Sequence, residues 1–137
     1  MKAVFDTNIF VSALVWRGAP YRCLLAAEAG LAELIVSPPI LDELRTVLIR
    51  KFEQTSAEAE ESVEFIAEVA RSVHITGNLH GVADDPADDK FIETAWVGGA
   101  PYIVSGDHHL LALGTHAGIS VIGPRAFLDI LSRPHER

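Results

Sequence analysis

The sequence predicts an α/β fold built on a mostly parallel five-stranded sheet, on three observations. Short apolar runs alternate with helix-period segments along the whole chain. Pro and Gly fall between these segments as punctuation, with no repeat or low-complexity tract among them. Aspartates follow two of the apolar runs, Asp6 directly and Asp107 after Ser105-Gly106, which is where the crevice of an open α/β sheet forms. Alternation of this kind implies right-handed crossovers and a sheet covered on both faces. At 137 residues the chain suits one domain, residues 1–137, with a single sizeable core.

Each element has its own signal. Lys2 to Phe5 reads as a short buried strand. Ile9 to Val15 follows as a helix, and Gly18-Ala19-Pro20 breaks it before a second helix that ends at Gly30. Leu34-Ile35-Val36 is the second strand. Pro38-Pro39 opens a helix carrying Ile40, Leu41, Leu44, Val47 and Leu48 at three- and four-residue spacing. Thr55 and Glu58 form a capping box, and Val63, Ile66, Val69 and Val73 make the inward row of the helix they start. Val73 to Thr76 is expected to be the third strand. After a polar loop, Asp85-Pro86 opens a helix that stops at Gly98-Gly99. Tyr102-Ile103-Val104 is a strand running into Ser105-Gly106-Asp107. A short helix through Leu113, a strand from Ile119 to Ile122 and a helix from Pro124 to about Ser132 complete the pattern.

Composition excludes several classes. A hydrophobic fraction of 49% with 22% charged residues belongs to an ordinary globular protein and not to a disordered or fibrous one. The first residues lack the long apolar core of a signal peptide, and no run approaches a membrane span, so a cytoplasmic protein without a membrane partner is expected. The one cysteine, Cys23, lies in an apolar stretch and reads as a buried small hydrophobe. The net charge of −8 argues against generic polyanion binding, although six of the nineteen acids lie between Glu53 and Glu68, which leaves much of that balance to one solvated helix face.

The chemistry rests on carboxylates. Asp6 and Asp107 have an ordinary explanation as helix N-caps, but two strand ends of one sheet can also converge. Glu43 falls at the edge of the arc of Ile40, Leu44 and Val47, where an exposed glutamate paired with an arginine such as Arg50 is the plainer expectation. In Asp84-Asp85-Pro86-Ala87-Asp88-Asp89, Asp85 reads as the cap. Asp88 falls within the arc of Phe91, Ile92 and Ala95, with Asp89 at its margin. If Asp6, Glu43, Asp88 and Asp107 meet, their repulsion must be offset, and an all-oxygen set suits Mg²⁺ or Mn²⁺. Such an ion can activate water against a phosphodiester.

Other chemistries lack their signals. The histidines, adjacent at His108-His109 and scattered at His74, His80, His116 and His135, form no zinc spacing. There is no GxxxxGK[ST] or GxGxxG loop and no nucleophile elbow around Ser37 or Ser105. Arg17, Arg22, Arg45, Arg50 and Lys51 flank the acids in sequence and are candidates for phosphate contacts, or simply solvated charges. A receiver-like, non-catalytic Mg²⁺-binding domain would need an acidic pair at Asp6 and a lysine after a late strand. Here Thr7 follows Asp6, and the lysines are Lys2, Lys51 and Lys90. An aspartate-nucleophile phosphatase would need a second acid where Asn8 stands.

Taken together, Asp6-Thr7-Asn8, Ser37-Pro38 with Glu43, Asp85-Pro86-Ala87-Asp88-Asp89 and Ser105-Gly106-Asp107 resemble the PIN-domain family over essentially the whole chain. The stretch from Phe10 to Gly18 is similar to the subgroup described as toxins of toxin–antitoxin pairs. The resemblance implies a three-layer α/β/α sandwich and a metal-dependent endoribonuclease. It carries Asp6, Glu43, Asp88 and Asp107 over as metal ligands, with Asn8 and Ser105 as supporting hydrogen-bonders. A one-residue shift would instead put Asp85 or Asp89 in the third position. The resemblance also implies an RNA substrate, a homodimer and a small antitoxin partner, and it admits a PIN-like RNA-processing protein that is not a toxin.

Overall fold

A computed structural model describes residues 1–133, and His135 lies outside them. Strand β1 (Lys2–Phe5) runs into helix α1 (Thr7–Val11), whose last turn widens into a π-helical turn over Ser12–Trp16. The Arg17 N–H closes that turn on the Ser12 carbonyl at 2.7 Å. Arg17 itself has φ 65°, so the break falls there and helix α2 (Gly18–Glu28) begins at the glycine and not after Pro20. Strand β2 (Glu33–Val36) leads to α3 (Pro38–Phe52), and α4 (Ser56–Val69) starts on the expected Thr55–Glu58 capping box.

The sheet has six strands, in the order β3-β2-β1-β4-β6-β5, so the class stands while the count rises by one. Strand β3 (Arg71–Ser72) pairs with Ile35 and Val36 of β2, two residues earlier than Val73–Thr76. The chain extends as soon as α4 ends, and one further bond, from Val73 N to the Val36 carbonyl at 2.8 Å, completes the ladder. Beyond it the Thr76 and Gly77 N–H groups turn to Glu93, which ends the strand. Strand β4 (Tyr102–Val104) lies between β1 and β6 (Ile119–Ile122), parallel to both. The additional strand β5 (Thr115–His116) is antiparallel to β6, joined through Ala117-Gly118 with φ of 51° and 80°. Two positive φ values mark a type I′ turn, which an alanine in the first position hides from sequence inspection.

Both faces of the sheet are covered. Neighbouring residues in register share a face, so Val4, Ile35 and Ile103 point one way, and Phe5, Tyr102 and Val104 the other. Helix α5 (Asp89–Gly98), preceded by a 3₁₀ turn over Pro86–Asp88, lies on the first face. It comes so close that a Cβ on Gly98 would stand 2.5 Å from Ile35 Cγ2. On the second face Phe127 of α7 (Pro124–Ser132) packs edge-on to Phe5 and Tyr102, with ring centroids 6.1 and 6.3 Å away. Strands buried on both sides read as continuous apolar runs, and β1 and β4 do. Among the described residues no helix is long and apolar enough to cross a membrane.

From β1 the chain winds through β2 to β3 on one side, then through β4 to β6 on the other. The switch point lies between the carboxyl ends of β1 and β4, where the diverging connections leave a crevice. Asp6 and Ser105-Gly106-Asp107 occupy those two ends.

Candidate active site

Asp6 follows β1 directly, and its N–H donates to the Val104 carbonyl at 3.1 Å, tying the two strand ends together. Its Oδ1 accepts from the Ile9 N–H at 2.9 Å as the N-cap of α1. Its Oδ2 accepts from the Ser105 hydroxyl. Ser105 Oγ in turn accepts from the Asp107 N–H at 3.0 Å, and Asp107 caps α6 (His108–Ala112) through the His109 N–H at 2.9 Å. Capping and pocket lining thus describe the same side chains, since a cap at a strand end points its carboxylate into the crevice.

Asp6, Glu43, Asp88 and Asp107 line one pocket of about 270 Å³, together with Thr7, Asn8, Val47, Lys51, Asp85, Ala87 and Phe91. Ser37 fixes the two helices that supply the far wall. It is fully buried at the start of α3, and its hydroxyl lies 2.7 Å from that of Thr94 on α5. Thr94 also donates to the Lys90 carbonyl at 2.6 Å. Glu43 is half-buried, as its wheel position implies, but its partners are Thr7 and Lys90, not an arginine. The Thr7 hydroxyl donates to Oε1, and Lys90 Nζ lies 2.8 Å from Oε2.

The residues of the acidic loop separate clearly. Asp85 caps the 3₁₀ turn through the Ala87 N–H at 2.9 Å. Asp88 is half-buried and lines the pocket. Asp89, placed at the margin by wheel reading, is the more buried residue at 3% exposure. Its carboxylate points away from the pocket lining, accepting from the N–H groups of Gly81, Val82 and Ala83 at 3.1, 3.2 and 2.7 Å. Asn8 is exposed at the pocket, and the neighbouring hydroxyl that bonds a pocket acid belongs to Thr7.

Sequence reasoning passed over Thr7 and Lys90. A lysine in the first turn of a helix sits against the dipole, and that unfavourable placement was the available signal. Of the flanking basic residues, Lys51 lines the pocket, whereas Arg45 is engaged by Glu60 and Asp42 and Arg17 lies over the Tyr21 ring. His108 and His109 are exposed, with His109 Nδ1 at 3.8 Å from Asp84.

The pocket's electrostatics are those of crowded acids. Burial pushes the Asp6 carboxyl up from 3.8 to about 6. The Ser105 and Ile9 bonds oppose that shift, and Asp88 and Asp107 add to it. Asp88 is also raised, first by loss of solvent and then by repulsion from Asp85, Asp107 and Glu43, with Lys90 acting against it. The donor set, all carboxylate oxygen with Asp6 out of water, fits a hard divalent cation by its chemistry. Among the described residues no three such side chains stand at ligand spacing.

A mostly parallel α/β sheet with an acidic pocket at its switch point defines an α/β protein whose crevice is lined by carboxylates. The chain belongs to the PIN domain family, whose profile it matches over residues 2–109. PIN domains are generally nucleases. Among solved structures, the chain is similar in fold to VapBC2 from Rickettsia felis, crystallised bound to a DNA fragment from their promoter. That match has 14% sequence identity and a TM-score of 0.62, over 88% of this chain and 97% of that one. No protein with a curated description matches significantly. Family membership removes the receiver-like and phosphatase alternatives, and Lys90 lies on a helix, not after a strand.

Proposed function

We propose that this chain is a divalent-metal-dependent endoribonuclease that hydrolyses RNA phosphodiester bonds, acting in the cytoplasm as the toxin of a toxin–antitoxin pair. The observation that carries the nuclease reading is the pocket itself: five carboxylates line one crevice at the switch point, and Asp6, Glu43, Asp88 and Asp107 among them come from four separate elements. Asp6, Glu43, Asp88 and Asp107 would hold Mg²⁺ or Mn²⁺. Bound there, such an ion supplies charge neutralisation and water activation for phosphodiester hydrolysis.

The chain's own residues supply position. Ser105 and the Ile9 N–H hold Asp6 at one orientation, with both carboxylate oxygens committed and the remaining lone pairs facing the pocket. Thr7 holds Glu43 across from it. Lys51 brings a positive charge to the pocket, where an RNA phosphate would approach. No side chain is required as a nucleophile. The fold it shares with a chain of VapBC2 supports an antitoxin as partner, and we extend the proposal to a homodimer built from residues 1–137.

The test is cleavage of single-stranded RNA in Mn²⁺ by wild type and by Asp6→Asn. The variant, and wild type in EDTA, are expected to lose at least about a thousandfold in rate, roughly 4 kcal/mol of barrier. Cleavage unchanged by either treatment would sink the proposal.

A further inference from the structure

Besides Lys51, which lines the pocket, a second cation lies beside the pocket acids in a defined seat. Lys90 Nζ lies 2.8 Å from Glu43 Oε2 and also donates to the Ala87 carbonyl. The ammonium stands over the Phe91 ring, 4.7 Å from its centroid, and the side chain is 15% exposed. Ala87, Phe91 and Glu43 all line the pocket, so the ammonium sits against the same space as Asp6, Asp88 and Asp107. It lowers the repulsion felt by Asp88. It does so from the first turn of α5, where the helix dipole disfavours a cation, so the pocket acids must compensate that placement. Among the described residues no three acids stand at ligand spacing.

We infer that Lys90 is the pocket's own counter-cation: its ammonium neutralises Glu43 in the metal-free protein, and a divalent ion enters by displacing it. The inference rests on the carboxylate pocket being a metal site, as proposed above. A lysine suits the role because its charge rides on a flexible four-carbon stem and can withdraw, while Thr7 keeps Glu43 in place. The lysine keeps the acids from repelling one another before metal arrives, and it weakens metal binding by competing for Glu43.

Calorimetric titration with Mn²⁺, paired with melting in EDTA, tests this on wild type, Lys90→Gln and Lys90→Arg. Lys90→Gln is expected to bind Mn²⁺ about tenfold tighter and to melt at a lower temperature without metal; Lys90→Arg, which keeps the charge, should bind as wild type does. Unchanged or weaker Mn²⁺ binding by Lys90→Gln overturns the role of the lysine and leaves the metal site standing. Tighter binding by Lys90→Arg also overturns it, because charge would not be what competes. If wild type binds no Mn²⁺, the metal-site reading itself fails and takes this inference with it. If Lys90→Gln does not fold in EDTA, recovery of a cooperative melt on adding Mn²⁺ supports the inference, and failure to recover overturns it.

Discussion

Helix α5 separates two groups of carboxylates that satisfy their charge in different ways. Asp89 and Glu93, one turn apart, are buried at 3% and 6% exposure. Backbone N–H groups meet both: Asp89 is held by Gly81, Val82 and Ala83, and Glu93 by Thr76 and Gly77, with the Thr76 hydroxyl in addition. Asp88, the residue before Asp89, instead faces Asp6, Glu43 and Asp107 across the pocket, and there burial first and neighbouring carboxylates second raise the proton affinity of Asp6 and Asp88. Burial alone therefore does not mark a functional acid. A carboxylate surrounded by N–H donors is a structural clamp, here for the 76–83 loop, while carboxylates surrounded by carboxylates need a cation or a proton.

The two groups should respond in opposite directions to loss of charge. The largest effect is expected at Asp6 in EDTA. Its carboxyl binds a proton more tightly folded than unfolded, so its contribution is complete below about pH 4 and is lost as pH rises through about 6. Asp88 shifts in the same direction. Chemical denaturation should show metal-free wild type losing up to about 3 kcal/mol between pH 4 and pH 8. Asp6→Asn, which keeps the cap, should be flatter and more stable than wild type at pH 8. Equal pH dependence in the two proteins would remove the contrast.

Asp89→Asn should do the reverse, destabilising the metal-free protein by about 2 kcal/mol at pH 7 through weaker bonds to three N–H groups. The rise in melting temperature on adding Mn²⁺ should equal that of wild type. A diminished rise would move the third ligand from Asp88 to Asp89. The smallest effect belongs to Ser105→Ala, about 1 kcal/mol from one lost hydroxyl bond. Its diagnostic is the midpoint of the pH–stability curve, which should move upward because the Ser105 bond favours ionised Asp6. A midpoint unchanged from wild type would mean that Ser105 orients Asp6 without tuning it.

The strand ends that build the pocket were legible because their signals are local and redundant. Val4-Phe5 and Ile103-Val104 are buried apolar runs, each ending in a polar residue that must face the crevice. The split between Asp88 and Asp89 was not legible, because a 3₁₀ turn rotates the chain ahead of α5 and a wheel drawn through both residues assumes one continuous helix. It also depends on a loop whose N–H groups are supplied by Gly81 to Ala83, residues without side-chain pattern. The edge strands β3 and β5 have two residues each, too few to show any period. Thr7 and Lys90 were hidden differently: each is unremarkable in sequence and acquires its role from Glu43, 36 and 47 residues away.

Gly98 has the widest reach of the features that shape the pocket. Its missing side chain lets the carboxyl end of α5 rest on Ile35, while the amino end of the same helix carries Lys90 and follows directly on Asp88 of the pocket lining. The helix spans ten residues, about 15 Å, so one continuous element joins that contact to the pocket. The close approach that seats α5 on the sheet is therefore remote from every carboxylate in the pocket. A methyl group added at Gly98 would have to displace Ile35 or the helix itself, and would act on the pocket without altering one of its acids.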